Sequence, residues 1–146
     1  MTTADLTLDF VETSLPRPLP PVTSIFSRPF WDGLQQGRLL TTRCDGCKEP
    51  SFPPRDYCPR CGSPGHEWIG LGGKGRLYSK TRIHAAGGSF AAMAPYSVGL
   101  VDLDDGLRLL ARLLPSASAL PLDSPVVLVV LRHPDGCLIG ARAITA

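Results

Sequence analysis

Two cysteine pairs constrain the fold of this chain more than any other feature. The sequence reads Cys44-Asp-Gly-Cys47, then ten residues, then Cys58-Pro-Arg-Cys61. Two residues between cysteines allow both sulfurs to reach one ion, and a second such pair completes a tetrahedral site of four thiolates. Because a reducing cytosol disfavours disulfides, the spacing predicts a metal site.

Four cysteine ligands would leave no coordination position for water or substrate, so the predicted site is structural. Nothing in the sequence suggests a redox partner, so the predicted metal is zinc. A single iron in the same thiolate set, as in rubredoxin, is the alternative and would make the chain an electron carrier. His66 is close enough to compete as a ligand, but four cysteines already satisfy the ion. The fifth cysteine, Cys137, is predicted to be a small buried hydrophobe rather than a nucleophile.

The composition favours a small protein built mainly from strands and turns. The chain has 146 residues, 43% hydrophobic content, 15 glycines and 15 prolines. No basic N-terminal stretch precedes an apolar run, and no window approaches about twenty apolar residues, so we expect a cytoplasmic chain with no membrane partner. The net charge of +2 is too small to indicate nucleic-acid binding by itself.

The N-terminal part divides into two predicted segments. Residues 1–26 form an extended Pro-rich arm, because the run 16–21 contains four prolines. The arm is either an unattached terminus or a segment that lies on a partner. Residues 27–37 form a docking helix, with Ser27 as its cap, Pro29 in its first turn and Gly37 at its end.

The docking helix carries Phe30, Trp31 and Leu34 at helical spacing on one face. A helix of this length is marginal alone, so this face must pack either on the rest of the chain or in a partner's groove.

Residues 38–71 are predicted to form a rubredoxin-like zinc ribbon, with strands at Arg38–Arg43 and Glu67–Leu71. Residues 72–146 are predicted to form a five-stranded OB-fold barrel. The fold class is therefore mainly β, and the five predicted barrel strands are Gly75–His84, Tyr96–Leu103, Leu107–Leu114, Val126–Arg132 and Leu138–Ile144. Asp105-Gly106 and Asp135-Gly136 are tight-hairpin signals between consecutive strands.

Alternation along the first barrel strand predicts two faces. Leu77, Ser79, Thr81 and Ile83 would face one way, and the opposite face would carry Arg76, Tyr78, Lys80, Arg82 and His84. This basic face is either a solvated surface or a contact for phosphates or a stacked base.

We find no paired carboxylates, nucleophile elbow, phosphate loop or HExxH helix in the sequence, and therefore predict that the chain is not an enzyme in its own right. A nucleic-acid-binding ribbon and barrel for single strands is the alternative to an accessory role. It would need exposed aromatic residues on the second and third barrel strands, which offer only Tyr96.

Residues 28–144 resemble the acyl-CoA-associated zinc-ribbon plus OB-fold family, known as domain of unknown function thirty-five. Besides the two cysteine pairs, the matching landmarks are Phe30-Trp31-Asp-Gly-Leu34, Gly37-Arg-Leu, Phe52-Pro53-Pro54-Arg55, Gly75 with Thr81, Ala94-Pro95-Tyr96 and Val101-Asp-Leu-Asp-Asp-Gly106. The segment Leu122-Asp-Ser-Pro125-Val and the long Pro-rich arm depart from the family pattern.

The resemblance implies a non-catalytic accessory subunit in a hetero-oligomer with a large thiolase-like, ketosynthase-like or related acyl-CoA enzyme. The zinc would be structural, and a coenzyme A thioester would lie at the subunit interface. Combined with the predicted basic face, this role suggests Arg76, Lys80 and Arg82 as contacts for the coenzyme A phosphates.

Overall fold

The computed structural model describes residues 6–144; the first five residues of the predicted arm and the last two of the predicted barrel lie outside this range. The strands are β1 (Phe10–Glu12), β2 (Leu39–Cys44), β3 (Pro50–Ser51), β4 (His66–Leu71), β5 (Lys74–Ile83), β6 (Tyr96–Leu103), β7 (Arg108–Leu113), β8 (Pro125–His133) and β9 (Gly136–Ala143). The helices are α1 (Arg28–Gln35), α2 (Pro115–Ser118) and a 3-10 helix at Gly88–Met93. No helix in the described range is long and apolar enough to cross a membrane.

Five strands close into a barrel in the order β8-β5-β6-β7-β9, and β9 returns to pair with β8. The β7–β9 pair is parallel and the other pairs in the ring are antiparallel. This is the predicted mainly β fold with a five-stranded OB-fold barrel, which is confirmed. Its interior is filled by alternating apolar side chains, including Leu77, Val101, Leu109, Val126 and Leu128.

The smaller sheet, β3-β2-β4, forms the ribbon. Strands β2 and β4 pair antiparallel from Leu39 opposite Leu71 to Cys44 opposite His66. The ribbon therefore begins in the main core, where Leu39 and Leu71 are buried, and ends at the first cysteine.

Helix α1 packs on its own chain, because Phe30 and Leu34 are buried in the main core. Gly37 ends the helix as predicted, in the left-handed region at φ 77°. Ser27 occupies the N-cap position as predicted, but its hydroxyl bonds no helix amide and instead accepts a 2.9 Å bond from the amide of Ser24. The Ser27 amide donates to the Ser24 hydroxyl at 3.0 Å, so the two serines close a turn before the helix.

Part of the predicted arm is a strand. Phe10–Glu12 pairs in parallel with β8, and Leu8 just before it is buried. The guanidinium of Arg132 lies 3.9 Å from the centre of the Phe10 ring. This strand was not predicted because three residues give too short a pattern, and only the exposed edge of β8 makes the pairing possible.

Because of a β-bulge in β5, the residues of the predicted basic face do not all lie on one side of the strand. The register passes from Leu77 opposite Val101 to Ser79 opposite Leu100, so Tyr78 is the extra residue. Cross-strand partners share a face and a bulge reverses the alternation that follows it. Lys80 then lies opposite Gly99 on the inward side, whereas Arg76 lies opposite the outward Asp102. The three cations do not share one face.

Candidate metal centre and neighbouring pockets

The four predicted cysteine ligands meet at the tip of the ribbon. Their Sγ atoms all lie within 4.8 Å of one another, with 3.5 Å between Cys44 and Cys61 and 3.6 Å between Cys47 and Cys58. Four sulfurs at about 2.3 Å from one tetrahedral ion would be about 3.8 Å apart. The donor set therefore fits a four-thiolate metal site, and these residues would hold the ion.

Each cysteine pair forms a turn whose amides point at its first sulfur. The amides of Gly46 and Cys47 lie 3.3 and 3.4 Å from the Cys44 Sγ. The amides of Arg60 and Cys61 both lie 3.4 Å from the Cys58 Sγ. Such amides stabilise thiolates, which are the form that binds metal.

The amides favour the thiolate form of the first cysteine in each pair, Cys44 and Cys58. The Cys47 amide, aided by the neighbouring thiols, lowers the pKa of Cys44 to about 6. The Cys61 amide likewise lowers the pKa of Cys58. The Glu49 amide acts to lower the pKa of Cys47, but burial and the surrounding sulfurs together raise it to about 11. Four thiolates at this distance repel one another, and a bound dication would offset that repulsion.

His66 is adjacent to the cluster but belongs to the packing of the ribbon. It lies opposite Cys44 in the β2–β4 pair, and its ring meets Phe26 edge-on with centroids 5.6 Å apart. Phe26 also contacts Trp68 at 5.5 Å between ring centroids. These contacts join the end of the N-terminal segment to the ribbon.

Cys137 is buried, as predicted, and burial raises the pKa of its thiol. A nucleophilic cysteine needs the opposite shift. His133, also buried, has its Nδ1 2.8 Å from the Leu15 carbonyl oxygen, to which that nitrogen would donate. The contact holds the N-terminal segment on the β8–β9 hairpin.

The three predicted phosphate contacts lie in different surroundings. Arg76 donates to the Asp123 carbonyl at 2.8 Å, and Lys80 donates to the carbonyls of Ser118 and Leu120. Arg82 lines a cavity of about 260 Å³ at the barrel rim.

A second cation, Arg112, lines the same rim cavity. Its guanidinium carbon lies 5.6 Å from the centre of the Tyr96 ring, and burial lowers its pKa. No carboxylate is among the described residues that line this cavity, which gives it a positive character. Arg112 was not among the predicted contacts, because its nearness to Arg82 depends on the register in which β5, β6 and β7 pair.

An apolar groove of about 360 Å³ lies where helix, ribbon and barrel meet. Its lining residues are all uncharged: Phe30, Trp31, Leu34, Phe52, Pro53, Leu110, Leu138 and Ile139. The Phe30 ring packs edge-on against Trp31 and Phe52, with centroid distances of 4.9 and 5.9 Å. Phe30, Trp31 and Leu34 are the predicted docking face, so that face both packs internally and borders an open groove.

Two family models match consecutive parts of the chain. A rubredoxin-like zinc ribbon domain of ChsH2 matches residues 31–67, and a C-terminal OB-fold domain of ChsH2 matches residues 68–131. Together they cover the ribbon and most of the barrel.

Named relatives include both scaffold proteins and enzyme subunits. A DUF35 domain-containing scaffold protein of Methanocaldococcus jannaschii is 36% identical over 72 residues, 49% of this chain and 51% of that protein. The benzoylsuccinyl-CoA thiolase subunit BbsA of Thauera aromatica is 33% identical over 88 residues, 60% of each chain. The match thus spans about half to three fifths of the length of these relatives.

Among solved structures, a chain of the Ltp2-ChsH2(DUF35) aldolase is similar along nearly its whole length. The TM-score is 0.73 at 31% identity, covering 85% of the present chain and 98% of that chain.

Proposed function

Since the chain belongs to the ChsH2 (DUF35) family of zinc-ribbon and OB-fold proteins, we propose that it is the non-catalytic subunit of a hetero-oligomeric, thiolase-like enzyme that acts on acyl-CoA. The relatives supporting this role are a scaffold protein, a thiolase subunit and a chain of an aldolase. The large partner subunit would carry out the chemistry.

The observation that carries this proposal is the apolar groove between helix, ribbon and barrel. Its wall includes Leu110, an exposed leucine on β7, next to the rings of Trp31 and Phe52. Aromatic and aliphatic side chains around a concave patch are typical of protein-binding surfaces. We assign this groove to contact with the large subunit.

Zinc in the four-cysteine site would fix the ribbon and supply no reaction step, because four protein ligands close its coordination shell. The ribbon shares the main core with α1 through Leu34 and Leu39. The metal would therefore hold the aromatic wall of the groove in position relative to the barrel. Elemental analysis of the purified chain should give one zinc per chain; iron with visible thiolate-to-iron absorption would contradict this assignment.

Within this function, we propose Arg76, Lys80 and Arg82 as contacts for the coenzyme A phosphates, and we propose Arg112 as a fourth because it lines the same cavity as Arg82. Arg76 and Lys80 already donate to backbone carbonyls, whereas Arg82 and Arg112 line the positive rim cavity. Two guanidinium groups are well suited to a phosphate because each can donate two parallel hydrogen bonds. The proposed role of the rim cavity is thus to bind the anionic end of the acyl-CoA.

The subunit role is tested by recovering the tagged chain from its native cells and identifying the proteins that remain bound. We expect a large acyl-CoA enzyme subunit in fixed stoichiometry. Nucleic acid without such a protein would contradict the proposal and favour the nucleic-acid alternative. Leu110→Arg should reduce recovery strongly, whereas Leu122→Arg, at a similarly exposed leucine outside the groove, should not.

The phosphate contacts are tested separately in the purified complex. We expect the double variant Lys80→Glu and Arg82→Glu to weaken acyl-CoA binding by at least tenfold, equivalent to about 1.4 kcal/mol. The double variant Lys48→Glu and Lys74→Glu, which reverses two exposed cations outside the rim cavity, is the matched control. Unchanged affinity in the double variant would remove these residues from the proposed site while leaving the subunit role intact.

A further inference from the structure

The segment between β1 and α1 is held at both ends and exposed in the middle. At its start, the Arg17 amide donates to the Asp135 carboxylate at 2.8 Å, and the Arg17 guanidinium donates to the Asp135 carbonyl at 2.6 Å. At its end, Phe26 packs between His66 and Trp68 of the ribbon. The ends of the segment are thus fixed to two different parts of the fold.

Between these anchors, three aliphatic side chains project into solvent. Leu19 is 71% exposed, Val22 is 95% exposed and Ile25 is 85% exposed. Single exposed apolar residues are common on protein surfaces, but three on one anchored segment form a patch that indicates a binding site. Their spacing of three residues is also the period of the polyproline II helix, which Pro20 and Pro21 favour.

The sequence of the segment restricts what can cover it. No charged residue occurs from Pro18 to Ser27, so a charged partner surface would lose hydration and gain no ion pair. Three prolines remove backbone N–H donors at positions 18, 20 and 21. Pairing with the edge of a partner's sheet is therefore disfavoured, because that mode depends on regular backbone donors. A groove lined by aromatic rings accepts such a segment through its side chains instead.

We propose that residues 18–25 are a pre-anchored binding arm whose Leu19, Val22 and Ile25 insert into an uncharged, aromatic-lined groove on the large partner subunit. This inference rests on the proposed function for the identity of the partner. The anchors serve binding because they hold the arm in place before contact and so reduce the conformational entropy lost on association. Phe26, which follows the arm, packs on the ribbon. The arm and the apolar groove beside α1 would therefore form parts of one interface with the large subunit.

The test uses the full chain in complex with the large subunit that it recovers from cells. The triple variant Leu19→Ser, Val22→Ser and Ile25→Ser should raise the dissociation constant at least tenfold, equivalent to about 1.4 kcal/mol. The double variant Leu122→Ser and Ile144→Ser, at exposed apolar sites away from the arm, should stay within about twofold of the wild type. Metal content and thermal midpoint should be unchanged in both variants, since all five side chains are exposed.

Two results would overturn the binding role of the arm while leaving the proposed function intact. One is an unchanged dissociation constant for the triple variant in a complex that the wild-type chain forms normally. The other is an isolated wild-type chain that dimerises in light scattering, with the dimer lost in the triple variant and binding to the large subunit unaffected; the arm would then belong to a second copy of this chain. Failure of the wild-type chain to recover any acyl-CoA enzyme would instead overturn the proposed function together with the arm.

Discussion

Replacing Leu34 by alanine tests whether helix α1 is an integral part of the core. Leu34 is 0% exposed and sits between the ribbon and the barrel. The change removes three buried carbon groups, and at about 0.8 kcal/mol each the lost burial is about 2.4 kcal/mol. A cavity term adds to this, but Leu34 also borders the open groove, which allows partial relaxation. We therefore expect a loss of about 3 kcal/mol in the free energy of unfolding.

Urea unfolding of the metal-loaded chain, followed by circular dichroism, measures this loss. A thermal midpoint lower by about 6–12 °C is the corresponding expectation for a chain of this size. Leu122→Ala makes the same chemical change at a side chain that is 55% exposed, and should cost less than about 0.5 kcal/mol. If Leu34→Ala and Leu122→Ala have equal effects, the helix contributes nothing to the shared core and our account of α1 fails.

Three further predictions concern the metal, the arm anchor and the barrel. Cys58→Ser should abolish stoichiometric metal binding and increase amide exchange in the ribbon while the barrel strands stay protected; one metal per chain in the variant would refute the four-cysteine site. The Arg17 amide lowers the pKa of Asp135, so the stabilisation by its carboxylate is present above about pH 4 and is lost as the pH falls through the lowered pKa. The stability difference between wild type and Asp135→Asn, measured by urea unfolding, should therefore be larger at pH 7 than at pH 3, and a difference that grows on acidification would contradict the anchor. Gly99→Val should cost about 1–3 kcal/mol, because a Cβ there would lie 2.8 Å from the Ser79 carbonyl oxygen and 3.0 Å from the Leu113 side chain; an unchanged thermal midpoint would show that the barrel relaxes freely at this point.

Strand β2 connects the metal centre to the core that the ribbon shares with the OB barrel. The ribbon end of the core, at Leu39 and Leu71, is continuous with the barrel interior. At the other end of β2, Cys44 begins the thiolate cluster. Because β2 connects both, a metal that holds the cluster also restrains the strand on which α1 packs. The aromatic wall of the apolar groove, at Phe30, Trp31 and Phe52, lies on elements that pack against this strand or follow its partner strand.

The sequence alone determined the elements with strong local signals. The cysteine spacing specified the four-thiolate cluster, because two-residue separations bring sulfurs together regardless of the distant fold. The barrel strands β5 to β9 followed from strand-like runs and from the Asp-Gly turns, and the strand at Tyr96–Leu103 was predicted with its observed limits. Strands β2 and β4 were predicted from the segments that flank the two cysteine pairs. The end of α1 was predicted from Gly37, because glycine readily adopts the left-handed backbone found there.

Tertiary structure decided the features that depend on distant neighbours. Strand β1 exists because the edge of β8 is available to it, and neither segment contains that information by itself. The bulge at Tyr78 separated Arg76 from Lys80 by reversing the pleat, which alternation in a single strand cannot reveal. The apolar groove forms only where helix, ribbon and barrel bring residues far apart in the sequence to one surface. Arg112 joins Arg82 at the rim cavity through the register in which β5, β6 and β7 pair. The metal site was thus readable from local spacing, whereas the binding surfaces required the fold.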